Sequence, residues 1–70
     1  MVIEQIEWTA KQIKALRAAH KKTQEQFCKD VGVVVGTLRY WEQGFGKPGG
    51  SASLLLDRLA ADVGFKPIGG

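Results

Sequence analysis

The residues able to do covalent or metal chemistry are few. The chain has one cysteine (Cys28) and one histidine (His20) in 70 residues. A structural zinc site takes four Cys, His or carboxylate ligands, and this pair cannot supply them. His20 has no carboxylate pattern beside it, and neither a Ser–His nor a Cys–His arrangement is present, so nucleophilic catalysis is not expected. Cys28 reads as a small core residue rather than a reactive thiol. A glycine-rich stretch over 44–53 holds four of the nine glycines. Such loops can cradle nucleotides, but this one lacks the Gly-Lys-Ser/Thr end of a P-loop and follows no strand. The expectation is a protein that is no enzyme, with no cofactor and no metal. What remains is charge. The net charge is +3, and residues 11–47 carry eight bases against three acids, whereas residues 1–10 carry two acids and no base. A basic excess gathered on one part of a small fold points to a polyanion as partner, the plainer alternative being a solvated helix face.

Size and composition bound the class. Seventy residues allow one domain, which buries only about 60% of the surface of its unfolded chain. Hydrophobic residues at 44% suit a packed core. One cysteine makes no internal disulfide and fits a reducing compartment. The longest apolar runs, Val33–Val35 and Leu54–Leu56, fall far short of the ~20 residues of a membrane span. Met-Val-Ile-Glu lacks the basic start and apolar stretch of a signal peptide. A small cytoplasmic domain without membrane contact is expected.

The elements that must position any site are short helices. Thr9 with Gln12 is a capping box, and Trp8 with Ile13 is spaced as a hydrophobic staple. Ala10, Ile13, Leu16 and, at the end of the row, Ala19 follow helical spacing, which predicts a helix over about 9–20. Thr23 and Gln26 form a second box, opening a helix over about 23–31 that turns Phe27, Cys28 and Val31 inward and stops at Gly32. Val33, Val34 and Val35 resemble a strand, yet Leu38 and Trp41 continue the spacing without a breaker before Gly44, predicting a helix over about 34–43. A fourth helix is expected over about 51–61, with Leu55, Leu56, Leu59 and Val63 as core candidates. Residues 1–8 read as an arm or short strand, residues 9–63 as the folded domain and residues 64–70 as a tail. The fold class is therefore all-α, a bundle of four to five short helices.

Helix, glycine turn and helix within about twenty residues is helix-turn-helix spacing. Between Gln24 and Gln43, the residues Phe27, Val31, Val33, Leu38 and Trp41 are apolar where two crossed helices face each other and the first helix. Cys28 is small where the backbones approach, and Gly32 occupies the turn. Over about residues 9–63 the sequence resembles the lambda-repressor-like (Cro/cI, XRE) family of DNA-binding domains. The likeness is carried by Ile13-Lys14-Ala15-Leu16-Arg17, Thr23-Gln24-Glu25-Gln26-Phe27, Gly36-Thr37-Leu38, Trp41-Glu42-Gln43-Gly44 and Lys47-Pro48.

The resemblance implies a third helix lying in the major groove. It implies phosphate contacts from the start of the second helix and the loop after the third, which here means Thr23, Gln24, Thr37 and Lys47. Base reading would fall to Val35, Gly36, Arg39 and Tyr40, with Arg39 the favoured partner of guanine and a phosphate as its rival target. Val35 and Gly36 offer no polar side-chain group, which departs from the polar readers common in the family, and Val34 replaces its usual polar cap. Arg17 and Glu42 match a family pair that braces the binding face. The implied function is sequence-specific binding of double-stranded DNA by a small repressor of the phage, prophage or toxin–antitoxin kind, acting as a homodimer on an inverted-repeat operator. Ile3, Ile6, Leu54, Phe65 and Ile68 are the apolar candidates for pairing. The alternative is an antitoxin-like module whose main partner is a co-encoded protein.

Overall fold

In the computed structural model, which describes residues 8–65, four helices follow one another: α1 (Ala10–Ala19), α2 (Gln24–Val31), α3 (Val35–Glu42) and α4 (Gly50–Asp62). No strand occurs among the described residues, and the fold is all-α. The first two helices begin where a threonine can hold the free N–H groups of the first turn. Thr9 Oγ1 accepts the Gln12 backbone N–H at 3.3 Å. Thr23 and Gln26 close the reciprocal box: Thr23 Oγ1 accepts the Gln26 N–H at 3.2 Å, and Gln26 Oε1 accepts the Thr23 N–H at 3.1 Å. Val34 and Gly49 stand at the starts of α3 and α4 without any side-chain cap. Backbone bonds alone open α3, the Val34 carbonyl accepting from Thr37 at 3.0 Å and Leu38 at 3.3 Å.

Two turns decide the path between α1 and α3. Gly32 has φ +80°, and its N–H and that of Val33 both donate to the Cys28 carbonyl, at 2.9 and 3.0 Å. A Cβ at Gly32 would meet nothing within 4 Å, so it is the left-handed backbone rather than crowding that favours glycine there. The end of α1 has the same geometry without a glycine. Lys21 sits at φ +56°, its N–H donates to Ala18 and the N–H of Lys22 donates to Arg17, a Schellman pattern. Lys22, next in the turn, pairs through Nζ with Asp30 of α2.

The core joins Ile13 and Leu16 of α1, Phe27, Cys28 and Val31 of α2, Leu38 and Trp41 of α3, and Leu56 and Ala60 of α4. Each fully buried aliphatic side chain contributes about 1.5–3 kcal/mol, so α3, packed on both α1 and α2, is held by the centre of the molecule. Trp8 belongs to this core rather than to an arm. Its Nε1 donates to Asp57 Oδ1 at 2.8 Å, and its ring stacks on Phe65 at 6.1 Å. The packed unit thus runs past 9–63 at both ends. Phe65 is half-buried on the core and is not a free pairing surface. The face of α4 turned inward is that of Ala52, Leu56, Leu59 and Ala60, while Leu55 and Val63, expected inside, are exposed, as is Ala19 on α1. His20 Nε2 donates to the Leu59 carbonyl at 2.8 Å and leans on the Phe27 ring, which ties the end of α1 to α4. Residues 2–7, where a short strand was the alternative to an arm, and Ile3, Ile6 and Ile68 lie outside the described residues. No described helix is long and apolar enough to cross a membrane.

A residue with a Cβ loses about 1–2 kcal/mol in the left-handed region, while a lysine at the end of a helix gains about 0.3–1 kcal/mol from the dipole. Lys21→Gly should therefore raise stability by up to about 1 kcal/mol, a rise in Tm of a few degrees. A Tm at or below that of the unchanged chain would show that the α1 turn carries no such strain.

Candidate nucleic-acid interface

Packing fixes how α3 is rotated. Leu38, Trp41 and Glu42 point inward and are buried, and Val35 is half-buried and packed against the core. Helical period then places Gly36, Arg39, Tyr40 and Gln43 on the opposite face, all of them exposed. Of Tyr40 and Trp41, the helical phase selects Trp41 for the core; Tyr40 is 52% exposed against 6% for Trp41. Gln43 is the residue that the sequence reading missed. It caps α3, and its spacing of seven from Gly36 and three from Tyr40 was the available signal.

Behind this face lies a chain of polar contacts through a buried carboxylate. Glu42 is 3% exposed. Arg17 Nε donates to its Oε2 at 2.9 Å and Arg17 Nη2 to its Oε1 at 3.0 Å, a two-pronged pair between α1 and α3. The hydrogen bond to Glu42, opposed by partial burial, raises the Arg17 pKa. Arg17 Nη1 also donates to the Lys22 carbonyl at 3.1 Å. From α2, Gln24 Nε2 donates to Glu42 Oε1 at 3.1 Å, and Arg39 Nε of α3 donates to Gln24 Oε1 at 3.3 Å. The Gln24 amide can be oriented only this way, because a carboxylate only accepts and a guanidinium only donates.

The loop after α3 carries the aromatic part of the surface. A Cβ on Gly46 would stand 2.3 Å from Tyr40 Cε2, so the tyrosine ring rests on the glycine backbone. Phe45, 67% exposed, lies beside it with ring centroids 5.9 Å apart. Lys47 follows in the same loop, exposed.

The expected site residues therefore divide. Arg17, Glu42, Gln24 and Arg39 form one connected cluster, and Tyr40 stands next to it with the 44–47 loop. Thr23 is exposed at the start of α2, where its hydroxyl oxygen holds the Gln26 N–H. Thr37 is half-buried in the first turn of α3. Val35 leans into the core, so little of it is offered for a methyl contact with a base, while Gly36 is open with nothing within 4 Å of a Cβ placed there.

Two outcomes follow from this geometry. Removing Arg17 strands a carboxylate whose side chain is 2% exposed, whereas removing the charge of Glu42 leaves an arginine side chain already 26% exposed. Arg17→Met should thus destabilise by about 3–5 kcal/mol and Glu42→Gln by about 1–2 kcal/mol. Thermal melting of both variants checks this, and the reverse order would contradict it. Gly46→Ala should leave Tm within a few degrees, since the tyrosine ring can swing aside, while shifting the Tyr40 ring resonances. Unchanged Tyr40 resonances would mean that the ring does not rest on Gly46.

No model of a known protein family matches this sequence, and no curated protein matches it.

Proposed function

We propose that the chain is a sequence-specific double-stranded-DNA-binding domain of the helix-turn-helix type, with α3 as the helix inserted into the major groove. The observation that carries this reading is the outer face of α3. It is exposed over two turns, at Gly36, Arg39, Tyr40 and Gln43, the last three with polar groups, while the inner face is fixed by Leu38, Trp41 and the Glu42 pair. A recognition helix needs both properties, a rigid seat and reachable donors and acceptors. The resemblance to lambda-repressor-like domains supports the same orientation, with Gly32 at the turn between α2 and α3.

In this reading Tyr40 and Gln43 meet base edges. Gly36 lets the α3 backbone approach the DNA closely, and Thr23, Gln24, Thr37 and Lys47 face phosphates. The basic excess of residues 11–47 supplies the attraction. A module of this size covers about 600–1,000 Å2, so two copies on an inverted repeat give the readout that one lacks, with half-sites about 10–10.5 base pairs apart or a multiple. The biological role that fits is a small cytoplasmic transcriptional repressor, autoregulating an operon of phage, prophage or toxin–antitoxin type.

Selection of duplexes from a random pool, followed by anisotropy titrations over a range of salt, tests this. Affinity should fall steeply with salt, and two chains should occupy each selected site. Lys47→Ala should weaken binding to every duplex alike and lower the salt slope by about 0.9. Failure to enrich any sequence, or one chain on an asymmetric site at saturation, would contradict the reading.

A further inference from the structure

The bond between Arg39 and Gln24 bears on what Arg39 does. An arginine that reads a guanine must extend its terminal nitrogens along the groove floor. Here the Arg39 Nε donates to Gln24 Oε1 at 3.3 Å, which ties the guanidinium to the first residue of α2. Gln24 is itself held by Glu42, and the charge of Glu42 is matched by Arg17. The cluster of Arg17, Glu42, Gln24 and Arg39 therefore carries one net positive charge, and that charge sits on its exposed end. The terminal nitrogens of Arg39 have no hydrogen-bond partner among the described residues. The Gln24 amide has a second N–H beyond the one given to Glu42. The planar fork alone would fit two phosphate oxygens or the paired acceptors of guanine. The neighbouring Gln24 amide adds a third donor, which a phosphate with its several oxygens can meet and the two-acceptor edge of guanine cannot.

We infer that Arg39 and Gln24 act as one clamp for a backbone phosphate, and that Arg39 does not read a base. This rests on the DNA-binding reading above. It reverses the expectation that Arg39 pairs with guanine, and it leaves specificity to Tyr40, Gln43 and the shape of the duplex. Arg39 is a positioned anchor: Glu42 orients the Gln24 amide, and the amide oxygen orients the guanidinium.

The test uses the full chain and a panel of single-base variants of a selected duplex. Arg39→Ala should weaken binding roughly ten- to hundred-fold, by the same factor for every member of the panel, and lower the salt slope by about 0.9. Arg39→Lys should restore the slope but only part of the affinity, since an ammonium lacks the fork. Gln24→Ala with Arg39→Ala should lose less than the product of the two single losses. A loss from Arg39→Ala concentrated at one base pair would overturn the inference. A second arm needs no DNA: the chain is titrated with inorganic phosphate while the Arg39 Nε–H and Gln24 amide resonances are followed. Both should move, and the Gln24 resonances should stay in place in Arg39→Ala. If no duplex binds at all, the DNA reading falls and this arm alone decides the clamp, with unmoved resonances in the unchanged chain overturning it.

Discussion

A carboxylate taken almost wholly out of water must be compensated, and the way this chain compensates Glu42 governs the rest of the molecule. Desolvating an ion costs several kcal/mol even after relaxation, so a buried acid persists only where charge and hydrogen bonds meet it. Arg17 provides both with two parallel bonds, and Gln24 adds a third. These partners come from α1 and α2, so one side chain at the end of α3 reaches two other helices. No buried side-chain polar atom among the described residues lacks a partner. Breaking the arrangement is expensive in a domain whose total stability is on the order of 5 kcal/mol. Its geometric consequence is the rotation of α3. With Glu42, Trp41 and Leu38 seated, no freedom remains over which residues face outward.

How much of this can be read in the sequence depends on how local each feature is. The threonine cap at Thr9 and the reciprocal box at Thr23 act over three residues, and Gly32 ends α2 through its own backbone, so these features are visible in short windows. The phase of α3 is also visible, because apolar residues recur at Leu38 and Trp41 against an exposed Tyr40. The turn after α1 is hidden because a lysine adopts the left-handed geometry that glycine usually marks. Trp8 and Phe65 looked peripheral because the contacts that tie them in, the stacking of the two rings and the Trp8 bond to Asp57, join residues far apart in the chain. The inward face of α4 was legible at Leu56 and Leu59 but not at Leu55 and Val63, because three consecutive leucines, Leu54–Leu56, fit several helical phases and tertiary packing selects among them.

The same rule applies to the site. Arg17 and Glu42 are 25 residues apart, and only a family resemblance drew attention to them as a pair. The contact of Arg39 with Gln24 spans 15 residues and leaves no local trace, which is why Arg39 looked like a reader of bases. In the folded chain, one polar network runs from a buried carboxylate to an exposed guanidinium. The buried end braces the helices, the exposed end presents donors to solvent, and Gln24 belongs to both. Leu54, at 66% exposure, is apolar surface on α4.

The central claim is that the outer face of α3, the start of α2 and the 44–47 loop form one surface for duplex DNA. Mapping backbone amide shifts of the full chain on addition of a selected duplex tests it most directly. The account predicts that the shifts cluster at Thr23 and Gln24, along Gly36, Arg39, Tyr40 and Gln43, and at Phe45 to Lys47, with α4 little changed beyond any pairing of copies at Leu54. Shifts centred on α4, with α3 and the 44–47 loop unmoved, would contradict it.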